Sequence, residues 1–322
     1  MTMRANLATP AHIIASTPAL IGFVPAESLI VIGNTGTTIG VTVRIDLDGF
    51  GAQFLTVLSR ALRETDTDSV RVVIVTDADP DQAHPFLEVL RDTLRTHRIP
   101  VAAMIQTTTV ATAGTRWVDH ATGLRGSTID YRDTLLSAEI VVADGTVIAA
   151  DRATMNQRFR RDDDRQATLV DPGSIDPADT VRGIIAAMHD LSQVDEDLAA
   201  ALAAVIGQGK VRRDALLRTV TYDGRRAAEV FTQCAAMLAG RLRADVLTLA
   251  AVGYYFTGSG ANANNAIVAA HEETSQVDSL LTLIDRSLSA GLPPSVIKEA
   301  LSSLTSHQRA SEMLGADYPP YQ

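Results

Sequence analysis

The sequence contains a single cysteine, Cys234, among 322 residues, which excludes an intrachain disulfide and a cysteine-based metal cluster. The residues from Val230 to Leu238 have the apolar spacing of a helix, so we expect Cys234 to be a buried small hydrophobe. Neither His nor Lys stands beside it in the sequence to activate the thiol.

Long apolar runs and positive charge are also scarce. No run approaches the ~18 residues of a membrane span, and the N-terminus lacks the features of a signal peptide. We therefore expect a cytoplasmic protein without membrane association. The 28 basic residues are outnumbered by 38 acidic ones, giving a net charge of −10, so no general binding of nucleic-acid phosphates is expected. Only two of the basic residues are lysines, Lys210 and Lys298.

The first half of the chain combines strand and helix patterns. A helical pattern spans Pro10 to Ile21, and two β-branched runs, 28–32 and 39–47, flank the turn-forming residues Gly33 to Gly36, which predicts a β-hairpin. Helical spacing over 52–63, a continuous apolar run over 70–75, a second helix over 80–96 and a strand over 101–109 follow. The second helix begins either at an Asp79 capping box or near His84, because Pro85 has no amide hydrogen to donate.

The next segment is less regular and leads into the helical half. Residues 111–132 predict a long loop with one short strand around Trp117, and the Asp144-Gly145 pair predicts a hairpin between 139–143 and 146–150. Asp176 followed by Pro177 is typical of a helix start. From there to about residue 304, eight helical segments follow.

We therefore predict an α/β protein with α+β character and two domains. Residues 1–158 form a mixed β-sheet domain with flanking helices, and residues 159–322 form an all-α domain.

Three parts of the sequence carry a family resemblance. They are the opening stretch HIIA…PALIGF…P…SLIV from His12 to Val31, the stretch from Leu136 to Arg152, and the stretch from Leu249 to Pro294. In these parts the chain resembles the actinobacterial domain of unknown function 4192 family. The resemblance implies a fold and a lineage, and it supplies no reaction.

The strongest chemical candidate is the strand ending in Asp46-x-Asp48-Gly49. It is similar to the first motif of haloacid-dehalogenase-type phosphatases, in which the first carboxylate attacks phosphorus, the second is an acid and base, and both frame Mg²⁺. Thr76, directly after a strand, would correspond to that family's second motif. However, the required lysine is missing before Lys210. Two acids at the start of a loop and helix also have an electrostatic explanation without chemistry.

A looser hypothesis concerns the ends of neighbouring strands. On this hypothesis Asp46, Asp48, Asp77 and Asp79 share one edge of the sheet, where open α/β sheets bind ligands. Asp77 and Asp79 are then ligand-binding candidates, and Asp46 and Asp77 are candidate metal ligands. Helix capping explains the same acids without a ligand.

Two functions follow from these patterns. The first is a non-catalytic binding or accessory module whose helical hairpins engage a protein partner or a second copy of the chain, with no cofactor. The alternative is a Mg²⁺-dependent phosphoester hydrolase that uses Asp46, Asp48 and Asp77.

Overall fold

The computed structural model describes residues 9–36, 38–65, 67–144, 148–276 and 278–315. The chain divides into two compact units, Met1–Met155 with Ala290–Pro293 and Asn156–Ser289 with Pro294–Gln322. An N-terminal six-stranded mixed sheet with helices is followed by a mostly helical region. The predicted fold class is confirmed.

The sheet of the first unit has the strand order β2-β1-β3-β4-β5-β6. Only the β3–β4 pair is parallel, and the other neighbours run antiparallel. The strands are β1 (Ser28–Thr35), β2 (Thr38–Asp46), β3 (Ser69–Val75), β4 (Val101–Thr107), β5 (Arg116–Asp119) and β6 (Arg125–Ser127). The short strand around Trp117 is confirmed as β5, whereas β6 had no prediction.

The predicted hairpin is β1–β2, but its turn lies further along the chain than expected. Gly33 and Asn34 belong to β1, where the register shifts between Ile32 and Asn34. Gly36 has φ +60°, the left-handed conformation that favours glycine. Thr37 lies outside the described residues. The hairpin is present, but the turn was predicted too early in the chain, because Thr35 as well as Gly33 and Asn34 lies in β1.

Helices precede, connect and follow the strands of this sheet. They are α1 (Pro10–Ile21), α2 (Ala52–Glu64), α3 (Pro85–Thr96), α4 (Leu135–Asp144) and α5 (Arg152–Gln157). Leucines of α2 and α3 pack on one face against side chains such as Val72 and Ile74. Ile13 and Ile14 of α1 pack on the other face against Val73 and its neighbours. The continuous burial of β3 from Val72 to Val75 therefore reflects a sheet covered on both faces.

Helix α3 begins at Pro85, which selects between the two predicted starts. His84 is its N-cap, and the His84 ring accepts a hydrogen bond from the amide of Phe86 at 3.4 Å. Pro85 occupies the first helical position, where a missing amide hydrogen costs nothing.

The predicted hairpin over 139–150 is wrong. Residues 135–144 form α4, which packs against α1 and buries Leu136 beside Ala19. Gly145 lies outside the described residues, and Ala149 forms a single parallel bridge with Phe23. A short apolar run is compatible with a buried helix as well as with a strand. Here the segment packs against α1 as a helix.

The second unit is built around a central buried helix. Its helices are α6 (Pro177–His189), α7 (Glu196–Gly207), α8 (Lys210–Ala215), α9 (Leu217–Tyr222), α10 (Gly224–Ala236), α11 (Gly240–Phe256), α12 (Gly260–Glu273), α13 (Ser279–Ser289), α14 (Pro294–Ala300) and α15 (His307–Leu314). Helix α11 is buried along most of its length and packs against α10 and α12, as expected of a helix apolar all round.

Two sequence expectations for this unit are confirmed. Asp176 caps α6 by accepting a hydrogen bond from the Ala178 amide at 2.9 Å. Cys234 is fully buried in α10, and burial raises the pKa of its thiol to about 12, so the thiolate is strongly disfavoured. Of the helices in the described residues, none combines the length and the apolar character that crossing a membrane requires.

Candidate functional site

The ends of β2 and β3 meet at one edge of the sheet. Asp46 of β2 and Val75 of β3 both pair with Ser28, the first residue of β1. Thr76 therefore follows β3 at the edge where Asp46 ends β2. Polar residues were predicted at the strand ends, and the register shows which of these ends are neighbours.

Two arginines pair with the Asp46 carboxylate. Arg44 contacts one carboxylate oxygen and Arg152 the other. The Arg44 guanidinium also donates to Ser28 Oγ at 2.7 and 3.1 Å, and it lies 5.2 Å from the Phe23 ring centroid. Burial lowers the pKa of Arg44, and its hydrogen bond to Asp46 opposes this shift. A carboxylate between two guanidinium groups is an unfavourable ligand for a divalent cation, because like charges repel.

Thr76 and Asp77 are tied to a residue that sequence analysis missed. The Glu27 carboxylate accepts hydrogen bonds from Thr76 Oγ1 at 3.1 Å and from the Asp77 amide at 2.8 Å. Glu27 has φ +39°, uncommon for a residue with a side chain. Its position directly before β1 was the available signal, because β1 lies between the ends of β2 and β3. The Asp77 side chain is exposed, as is that of Asp48.

The Asp79 carboxylate also faces arginine. Arg116 Nη2 lies 2.9 Å from Asp79 Oδ1, and both Arg116 and Arg125 pair with Asp81. The buried Gln106 amide donates to the carbonyls of Asp79 and Gln82, each at 3.1 Å. These contacts hold the loop after β3 from both sides.

The candidate metal ligands can now be compared with these surroundings. In the ranges that the structure describes, no group of three or more His, Cys, Asp or Glu side chains is placed to hold a metal ion. The two predicted ligands, Asp46 and Asp77, differ in environment, since Asp46 pairs with two arginines and Asp77 is exposed.

A second candidate site is a cleft of about 360 Å³ on the helical unit. Its lining comes from α9, the start of α10, the end of α11, α14 and the turn after α14. The lining residues are Arg218, Val220, Thr221, Gly224, Phe256, Thr257, Lys298, Ser302 and Thr305. Among these described residues the charged side chains are Arg218 and Lys298, and both are cationic. No pattern in the sequence predicted this cleft, because its lining residues span almost 90 positions of the chain.

The two cations of this cleft have defined positions. Lys298 Nζ lies 5.4 Å from the centroid of the buried Phe256 ring, a cation–π contact. Arg218 is half-buried, and its Nη1 donates to Thr221 Oγ1 at 3.2 Å. The Thr257 and Thr305 hydroxyls donate to the carbonyls of Gly253 and Leu301, at 3.0 and 3.2 Å.

Next to a smaller cavity of about 260 Å³ lies a buried charge network. Arg213 of α8, about 3% exposed, pairs with Asp214, with Asp245 of α11 and with Asp278 just before α13. Burial raises the pKa of Asp278, but the hydrogen bond from Arg213 outweighs it, and the pKa lies below its usual value. Here each carboxylate is paired with a cation, so this network is typical of ion pairs that connect packed helices.

These observations define a protein of two units, a mixed sheet in which Asp46 and Asp79 pair with arginine and a helical unit with a cleft whose charged lining residues are cationic. The chain belongs to the family described as Domain of unknown function (DUF4192), whose model matches residues 10–295. No curated protein and no solved structure matches the chain.

Proposed function

We propose that this protein is a non-catalytic binding module of the cytoplasm whose helical unit engages a protein partner. The observation that supports the proposal is the cleft beside α9 and α14, which combines an aromatic ring, hydroxyl groups and two cations. Its volume of about 360 Å³ is in the range of ligand sites, ~300–1,000 Å³. Such a lining provides both apolar area and polar orientation for a bound segment.

The competing proposal is a Mg²⁺-dependent phosphoester hydrolase that uses Asp46, Asp48 and Asp77. A nucleophilic carboxylate must be free to reach phosphorus, and the Asp46 carboxylate contacts Arg44 and Arg152 instead. This pairing is the reason that the binding module is preferred.

Site-specific crosslinking tests the binding proposal. A photoreactive residue replaces Ser302, an exposed cleft residue, in the full-length chain expressed in its native host. The control carries the same residue at Arg182, which is exposed on α6. We expect a discrete crosslinked partner, or a crosslinked second copy of the chain, at position 302 and not at 182. Equal crosslinking at both positions, or none, would contradict the proposal.

An activity assay separates the two proposals. Purified protein is incubated with phosphoester substrates, with and without Mg²⁺ or Mn²⁺, and compared with Asp46→Asn. We expect no metal-dependent turnover in either protein. Turnover that requires the metal and disappears in Asp46→Asn would establish the hydrolase instead.

A further inference from the structure

We propose that two copies of this chain pair through the outer edge of the sheet, with β2 of one copy antiparallel to β2 of the other about a two-fold axis at Val43. The proposal concerns the first unit and does not depend on the function proposed for the helical unit. Strand β2 is the outermost strand on its side of the described sheet. None of its nine residues is buried, whereas seven of the eight residues of β1 are buried.

The first argument is the direction of the backbone groups of β2. The Leu47 amide donates to the Glu27 carbonyl at 3.0 Å, where β2 ends beside β1. Hydrogen-bonding residues alternate along an antiparallel ladder, so Val43, four residues earlier, also directs its amide and carbonyl to β1. Its neighbours Thr42 and Arg44 therefore direct theirs away from the sheet. Another extended backbone supplies the donors and acceptors that match them.

The second argument is that the two edges of the described sheet differ. The opposite edge, β6, has three residues, and its Arg125 pairs with Asp81. A short edge strand with a charged side chain resists pairing with another chain. Strand β2 has nine residues, six of them β-branched, and contains neither proline nor lysine. Its two charged residues, Arg44 and Asp46, pair with each other, so the strand has no net charge of its own.

A bulge determines which part of β2 is available for pairing. Between Thr42 and Ile39, β2 carries one residue more than β1 carries between their partners. Ile39 and Val41 consequently pack on opposite faces of the sheet although they are two residues apart. Residues 41–46 lie beyond the bulge and form a regular edge about 20 Å long, at ~3.4 Å per residue.

The third argument identifies the occupant as a second copy. A two-fold axis at Val43 places Thr42 opposite Arg44 of the other copy, and these are the residues whose backbone groups face outward. Ile45 then lies opposite Val41, so apolar side chains meet on the face that packs on the core, and no like charges lie opposite each other. An axis at Arg44 would place two guanidinium groups opposite each other, which is destabilising. An axis at Thr42 would bring the bulge into the pairing.

Sedimentation equilibrium of the full chain, from micromolar to submillimolar concentration, tests the proposal. We expect a reversible equilibrium between monomer and dimer. Because each copy carries a net charge of −10, the two copies repel, and added salt should strengthen the dimer by screening this repulsion. A contact made of backbone hydrogen bonds and apolar side chains does not itself weaken in salt.

Charge changes at Thr42 test the position of the axis. Thr42→Lys places a cation opposite Arg44 of the other copy and should weaken dimerisation about tenfold, because a two-fold axis introduces the unfavourable pair twice. Thr42→Glu should strengthen dimerisation by a similar factor, a gain that misfolding does not produce. The controls are Thr96→Lys and Thr96→Glu at an exposed position of α3, which change the net charge equally and should leave dimerisation almost unchanged.

Hydrogen exchange locates the contact. We expect the amides of Thr42 and Arg44 to exchange more slowly as the protein concentration rises, whereas the Val43 amide, which faces β1, is protected at every concentration.

Each outcome decides the proposal. A monomer at every concentration overturns it, and slow exchange at Thr42 and Arg44 in that monomer would identify another segment of the same chain as the occupant. A dimer weakened equally by Thr42→Lys and Thr42→Glu excludes the axis at Val43. A dimer whose new protection lies only in the helical unit overturns pairing through β2 and leaves the proposed function standing.

Discussion

The buried charge network around Arg213 gives the sharpest prediction about stability. Arg213 Nε lies 2.9 Å from Asp214 Oδ1, and Nη1 lies 3.1 Å from both Asp245 Oδ1 and Asp278 Oδ2. The perturbation is Arg213→Leu, which leaves a shorter apolar side chain and removes the only cation that contacts all three carboxylates in the described network.

The magnitude follows from the charges left behind. The variant retains three carboxylates against two peripheral cations, Lys210 at 3.3 Å from Asp278 and Arg241 at 3.5 Å from Asp245. Both remaining cations are more than half exposed, so water screens them. Removing one partner of a buried ion pair costs about 3–5 kcal/mol, because the other partner stays buried without compensation. That is a large fraction of the ~5–15 kcal/mol by which a typical domain is stable.

Urea unfolding followed by far-UV circular dichroism measures this cost, because helices dominate the second unit. The sole tryptophan, Trp117, lies in the sheet of the first unit and reports on that unit separately. The matched control is Arg182→Leu, which breaks an exposed pair with Asp179 and should cost about 0–1 kcal/mol. If both leucine variants unfold at the same urea concentration, the network contributes nothing beyond a surface pair and the reasoning is refuted.

Three other predictions concern packing and pH. Gly253→Ala should lower the free energy of unfolding by about 1–3 kcal/mol, because its Cβ would lie 2.6 Å from the carbonyl oxygen of Gly224; a gain in urea midpoint, as helix propensity alone predicts, would contradict this. Gly126→Ala would bring a Cβ to 2.5 Å from the Trp117 ring, so the emission of the sole tryptophan should shift to the red, and an unchanged spectrum would mean that the pair is not in contact. The pKa of Asp278 is depressed below its usual value of 3.8, so its contribution to stability is present above that pH and lost as the pH falls through the folded-state pKa. Asp278→Asn should therefore flatten the acid limb of the stability–pH profile, and an unchanged limb would exclude that contribution.

The elements that could be predicted from sequence are those whose signals are local. The run from Val70 to Val75 is apolar throughout, which suits a strand buried on both faces, and it is β3. The choice of start for α3 depended on one residue, Pro85, whose missing amide hydrogen excludes it from the helix interior. Each of these signals lies within a few residues of the element that it defines.

Helix α4 is an element that local sequence patterns did not predict correctly. The segment from Leu135 to Asp144 is apolar enough for a strand, and the Asp-Gly pair that follows is typical of a hairpin turn. A hairpin needs a partner strand, however, and α4 instead buries Leu136 against Ala19 of α1. The segment that decides the conformation lies more than a hundred residues earlier in the chain, and a window of ten residues does not contain it.

Separation along the chain also explains why the surroundings of the strand-end acids could not be predicted. Sequence alone placed acids at strand ends, and the structure keeps them there, but the property that matters is which charges surround them. Asp46 is paired by Arg152, 106 residues away, and Asp79 by Arg116, 37 residues away. A motif of acids therefore identifies positions on a sheet edge and leaves their electrostatic environment open.

Net charge has the opposite limitation, because it averages over the whole surface. A value of −10 argues against a general affinity for polyanions, and it says nothing about a cleft whose two charged lining residues are Arg218 and Lys298. These residues are 80 positions apart and come together only when α9 and α14 pack at the end of α11.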